Sequence, residues 1–201
     1  DLKEGVILAV ETLANEALYW WKQNNNIPVS DYTDDTFESE VKDDCLTIIY
    51  RLLFLFYAES RDELEILPVD DEVYKLGYSL ESLRDLEMVR LNSDASRNGY
   101  FFDDSIRHLF SLLSDGHNFK ENNINSKSFR VRPIDSPLFN DNNLKHLANV
   151  RIRNIKWQEI IKALSLSKKK NYCGRISYAN LGVNQLGSVY ESLLAFRGFY
   201  A

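Results

Sequence analysis

Glu40-Val41-Lys42 has the acid-x-lysine form used by metal-dependent nucleases, with Asp31 upstream as a further carboxylate. Such a set holds a divalent metal when its members stand on adjacent strands. The surroundings here read as helical, and acid-x-lysine is common by chance. The plainer reading takes Asp31, Asp34, Asp35, Glu38, Glu40, Asp43 and Asp44 as a solvated loop running into a first helical turn, where carboxylates suit the helix dipole. His108, His117 and His146 show no ligand spacing to one another and read as ordinary core or surface histidines. Cys45 and Cys173 stand in neither a metal nor a redox spacing. Cys45 opens an apolar run and reads as a buried thiol, and two isolated cysteines fit a reducing cytoplasm. The sequence contains no Gly-rich phosphate loop, nucleophile elbow, glycine turn suited to S-adenosylmethionine or Asn-Pro-Pro-Tyr type run. No catalytic residue emerges.

The second candidate chemistry is phosphate binding. Arg130, Arg132, Arg151, Arg153, Lys156, Lys168, Lys169, Lys170 and Arg175 could line a track along a nucleic-acid backbone. They could equally be a solvated surface. The net charge of −6 conceals an asymmetry: residues 1–100 hold 9 Lys and Arg against 22 Asp and Glu, and residues 101–201 hold 15 against 8. A basic half on an acidic chain faces either a polyanion or its own acidic half.

Positioning these residues falls to a mainly α chain: an irregular multi-helix domain with one extended segment around residues 118–140, read as a single domain over 1–201. Eight Gly and four Pro leave few breaks. A helix runs from Leu2 to about Lys22, ended by Asn24 to Pro28. Trp20 and Trp21 read as core or interface packing. Cys45 to Arg61 is apolar nearly all round and should be buried among other helices, and Arg51 and Glu59 on it each need a partner on another element. The apolar run Leu46 to Ala58 is too short to cross a bilayer. Ser79 should cap a short helix with Leu80, Leu83, Leu86 and Val89 on its face. Asn92 to Gly99 reads as a polar connection. Asp103 or Asp104 should cap a helix carrying Ile106, Leu109, Phe110 and Leu113, ending at Gly116. Ser128 to Arg132 alternates like a short strand. Short helices are expected from Asp141 to about Val150 and from Asn154 to about Leu166, with Lys168 to Lys170 and Arg175 leading on.

The closing segment, Tyr178 to Arg197, is the stretch the chain is expected to be organised around. Leu186, Val189, Tyr190, Leu193 and Leu194 recur at helical spacing, Asn184 can cap the start and Gly198 can stop it. Gly187 inside a helix costs roughly 1 kcal/mol against Ala, which predicts a close backbone approach there. Glu191, beside the apolar face, should need a partner.

This segment carries a resemblance. Arg175-Ile176-Ser177-Tyr178, then Leu181, Val183, Leu186-Gly187-Ser188-Val189-Tyr190-Glu191 and Leu193-Leu194, resembles the stretch before the methyltransferase domain in type IIG restriction-modification enzymes. The adenine-specific methyltransferases of phage-defence systems of the BREX and phage-growth-limitation kinds carry a similar stretch. Those proteins often have Gly where Ser192 stands. Upstream, Tyr50 to Glu59, Leu67-Pro68, Tyr78-Ser79-Leu80 and Leu83-Arg84 look like the helical region of the same enzymes. Asp135-Ser136-Pro137-Leu138-Phe139 replaces their Gly-Gly-Leu-Phe step without the glycines. The resemblance covers roughly residues 45–197. It implies a non-catalytic helical connector between a nuclease region and an adenine-N6 methyltransferase, cut from a longer protein, with Leu186, Gly187, Ser188, Tyr190 and Glu191 as structural motif residues. The chain itself would hold no cofactor, S-adenosylmethionine and magnesium belonging to the parent protein. Its partners would be the parent's own nuclease and methyltransferase domains, with double-stranded DNA as a further candidate and no membrane.

Overall fold

The computed structural model describes residues 2–24, 35–118, 130–134, 136–169, 172–182 and, in the closing segment, 184, 185, 187, 188 and 191. The chain is mainly helical, as its sequence predicts. Helix α1 (Leu2–Asn24) buries Val6, Ala9, Val10, Leu13, Ala14, Ala17 and Trp21, an apolar stripe at three- and four-residue spacing.

Helix α2 (Asp35–Glu59) begins ten residues before the expected Cys45. Phe37 and Val41 extend the stripe of Cys45, Ile49, Leu52 and Phe56 by one residue every turn, so the acidic residues between them are helical too. Cys45 is fully buried, as expected, which pushes its thiol pKa up. The apolar middle of α2 is the floor of the core, with Ile49, Leu52 and Leu55 at 0% exposure. Among the described residues α2 packs against helix α1 and several later elements, whereas most of the closing segment expected to organise the chain lies outside them.

A 3-10 turn at Asp62–Leu64 leads to α3 (Glu72–Gly77), a helix the sequence reading passes over. Asp71 caps it, its carboxylate accepting from the N–H groups of Val73 and Tyr74. Ser79 caps α4 (Leu80–Asp85), as expected, accepting from Ser82 N–H at 3.2 Å. That helix stops early, leaving Val89 half exposed instead of on its face. A reciprocal Ser93–Ser96 capping box starts α5 (Asp94–Asn98) where a plain connection was expected. Helix α6 (Phe101–Asp115) buries Ile106, Leu109, Phe110 and Leu113 and ends at Gly116, as predicted. Gly116 has φ 71°, and a Cβ there would lie 2.6 Å from Pro133 Cδ. The helix starts at Phe101, so neither Asp103 nor Asp104 is its cap.

Strand β1 (His117–Asn118) pairs antiparallel with β2 (Arg130–Val131), in register His117 to Val131. This confirms extended backbone at one end of the expected irregular segment; residues 119–129 lie outside the described ones. The helix expected from Asp141 to Val150 is reduced to a 3-10 turn at Asp141–Asn143 followed by irregular turns. The N–H groups of Lys145, His146 and Leu147 go to the Asp44 carboxylate and cannot close a helical ladder.

Helix α7 (Asn154–Ser165) matches its prediction and packs along α1. Gly5 marks the closest approach: a Cβ there would stand 2.1 Å from the Ala163 carbonyl oxygen. Strands β3 (Leu166–Lys169) and β4 (Tyr172–Arg175) then form an antiparallel hairpin where a basic linker was expected. Among the described residues no helix is long and apolar enough to cross a membrane.

Candidate functional site

Arg51 is fully buried in the middle of α2. Its Nε donates to Leu138 O at 2.6 Å, Nη1 to Asp141 Oδ1 at 2.5 Å and Nη2 to Asn140 O at 3.2 Å, with the rings of Phe110 and Phe139 against its guanidinium. The partners lie on another element, as expected. Residues 138–141 are therefore held by an arginine: Ser136 caps a 3-10 turn at Pro137–Phe139, and Phe139 is buried.

Two turns on, Glu59 accepts from Tyr74 Oη at 2.7 Å and from the N–H groups of Leu80 and Glu81 at 2.8 and 2.9 Å. Glu59 thus supplements Ser79 at the N-terminus of α4. Burial lifts its pKa to about 7, against the opposing pull of those three donors.

The nuclease set does not assemble among the described residues. Glu40 and Lys42 lie on α2 rather than on a strand, and Asp31 lies outside the described residues. Glu40 accepts from Lys145 Nζ at 2.6 Å and lies 2.7 Å from His146 Nε2. Lys145 first, then His146, holds the Glu40 carboxyl below its usual range. One turn further along α2, the buried Asp44 fills a cradle of three consecutive N–H groups, at 3.1, 2.7 and 2.9 Å. The acidic start of α2 is a clamp on residues 145–147. Among the described residues no group of three or more His, Cys, Asp or Glu side chains is placed to hold a metal. His108 is exposed and lies beside the Tyr78 ring.

The basic positions divide. Arg151 donates through Nε to the fully buried Asp103 at 2.6 Å and through Nη2 to Asp104, its guanidinium over the Tyr100 ring. Asp103 also accepts from Arg107 Nε and Trp157 Nε1, both at 3.0 Å, and is a buried charge hub between α6 and α7. Arg153 grips the buried Glu16 of α1 with two nitrogens, at 2.6 and 2.8 Å, and stacks on Tyr19. Arg175 reaches Asp85 at 2.9 Å and Glu87 at 3.0 Å. Lys156 pairs with Glu159 on its own helix. For Arg153 and Arg175, the basic half faces the chain's own acidic half, whereas Arg151 pairs with carboxylates of its own half. Arg130 and Arg132 are exposed. Lys168 and Lys169 belong to the β3–β4 hairpin, and their side chains, with the whole of Lys170, lie outside the described residues.

The motif residues divide as well. Ile176 donates its N–H to Ser165 O at 2.7 Å and accepts at its carbonyl from Arg84 Nη2 at 2.8 Å. Tyr178 is buried, stacks on Phe56 of α2 and donates from its hydroxyl to Leu164 O at 2.8 Å. Arg61 Nη2 then donates to the carbonyls of Ala179 and Leu181. Beyond that point Gly182 and Gln185 exchange hydrogen bonds as a helix start, so the turn begins before Asn184. Gly187, Ser188 and Glu191 are helical and exposed. Among the described residues nothing lies within 4 Å of a Cβ at Gly187, so the expected close approach is not found there, and Glu191 is not buried. Leu186, Val189, Tyr190, Leu193, Leu194 and Gly198 lie outside the described residues.

Sequence reasoning misses the Asp103 hub and the Asp44 cradle. An acid in a first helical turn reads as a cap, and nothing local separates a cap from a buried hub. Searches of protein-family models, curated proteins and solved structures find no match to this chain.

Proposed function

We propose that this chain is the non-catalytic helical connector of a restriction-modification or phage-defence DNA methyltransferase, a body that fixes the spacing of a nuclease region and an adenine-N6 methyltransferase. One observation supports this reading most. The Arg175-Ile176-Ser177-Tyr178 step is tied to α2, α4 and α7, and Arg61 closes it immediately before the chain turns into a helix whose described residues face outward. An anchored step followed by a helix with exposed residues is a layout suited to passing orientation to a neighbouring domain. Reading the encoding frame past residue 201 tests this. A Tyr-Thr-Pro entry, a cofactor-binding glycine turn and an Asn-Pro-Pro-Tyr type motif are expected, and a stop codon soon after residue 201 would remove the main support.

Any DNA contact narrows to Arg130, Arg132 and Lys168 to Lys170, since Arg151, Arg153, Lys156 and Arg175 are engaged with carboxylates. Five such cations give a log–log salt slope no steeper than about −4.5 on duplex DNA. A second reading, a protein-interaction module without a DNA role, is favoured by the exposed apolar side chains of α3 and the turn after α4, where Leu76 is 77% and Met88 68% exposed. Fluorescence anisotropy with duplex DNA across a salt series separates the two. Binding that is missing at low salt leaves the second reading.

A further inference from the structure

The face formed by α3 and the loop before it has the wrong sign for DNA. Residues 60–77 carry six carboxylates against Arg61 and Lys75, and Arg61 is turned to Glu63 and to the carbonyls of Ala179 and Leu181. A pocket of about 350 Å³ opens in this face. Its lining includes the buried Tyr74 with Glu59, the apolar Val69 and Leu76, and the carboxylates of Asp62 and Asp70. Beside it, Val73 and Leu76 stand one turn apart on α3, 48% and 77% exposed. Large apolar side chains left in water beside a polar-rimmed pocket mark an interaction site.

We infer that this face docks a basic amphipathic segment of a partner protein, one Lys or Arg entering the pocket and a neighbouring apolar residue covering Val73 and Leu76. The chemistry selects this occupant over others. Nucleic acid is repelled by the carboxylates. Among the described residues a bare metal ion finds no converging set, and both Glu59 oxygens already accept hydrogen bonds from Tyr74, Leu80 and Glu81. A Lys or Arg side chain has the matching shape, with an apolar stem for Val69 and Leu76 and a charged head for the carboxylates. Lys75 also lines the pocket and opposes the incoming cation. Loss of duplex binding would leave this docking face intact.

The test uses the full chain and three labelled twelve-residue peptides, one of alternating Leu and Lys pairs, one with Glu in place of Lys, and one with Gly in place of Leu. The Leu/Lys peptide should bind, the Glu peptide should not, and the Gly/Lys peptide should bind at least about tenfold more weakly, the loss of one buried apolar anchor. Leu76→Asp and Asp70→Lys should each weaken the Leu/Lys peptide about tenfold or more, while Lys75→Glu tightens it. Glu11→Lys, an exposed charge reversal on α1, should leave it unchanged. Equal losses in Glu11→Lys and Asp70→Lys would reduce the effect to net charge and overturn the proposal. Self-association of the unmodified chain in sedimentation, abolished by Leu76→Asp, would overturn it in favour of a second copy as the occupant.

Discussion

Arg51 sits fully buried in an apolar helix because its donors are spent on two carbonyls and the Asp141 carboxylate, reached across 87 to 90 positions of sequence. The need for a partner is legible, since a charge amid Leu and Phe must be compensated. The partner's identity is not, because nothing local points that far along the chain. Arg51→Met should cost about 3 kcal/mol in chemical denaturation by stranding those acceptors. Asp141→Asn should cost at most about 1 kcal/mol, since the Asp141 side chain is 65% exposed. Glu59 makes a different prediction. Its folded pKa, raised from 4.5 to about 7, means the folded chain holds a proton that the unfolded chain releases. Its contribution to stability is complete below pH 4.5 and is lost as pH rises through 7. Denaturation midpoints measured between pH 5 and 8 should therefore flatten in Glu59→Gln.

At the scale of elements, periodicity reports the long helices well and their ends poorly. α1, α6 and α7 follow from apolar spacing, and the caps at Ser79 and Gly116 follow from residue type. The start of α2 is hidden by its acids, α3 by its shortness, and the β3–β4 hairpin by lysines that resemble a linker. The helix expected at residues 141–150 fails because a carboxylate from α2 takes its N–H groups. Two glycines show how tertiary contact decides a local cost. Gly5→Ala gains about 1 kcal/mol of helix propensity but drives a methyl into the Ala163 carbonyl, for a net loss of about 1–2 kcal/mol readable as a lower melting temperature. Gly187→Ala meets nothing within 4 Å among the described residues and should raise helix content near the end of the chain, checked by circular dichroism.

Over the whole molecule, several of the opposite charges of the two halves are turned on each other. Glu16 meets Arg153, Glu40 meets Lys145, and Asp85 and Glu87 meet Arg175. Arg153→Ala should therefore lower the melting temperature and leave any duplex affinity unchanged, whereas Arg130→Ala with Arg132→Ala should shallow the salt slope by about 1.8 without touching stability. Composition displayed the asymmetry, but only the fold could show how much of it is consumed internally. The docking of α1 along α7 has a consequence for biosynthesis. Helix α1 is made well before α7, so its apolar stripe waits for α7 before it is fully covered, an interval on the order of ten seconds at ordinary translation rates. During it, the Val6 to Trp21 stripe is a ready substrate for a chaperone. Such remote pairing also argues that the domain closes late and slowly, after α7 has been made.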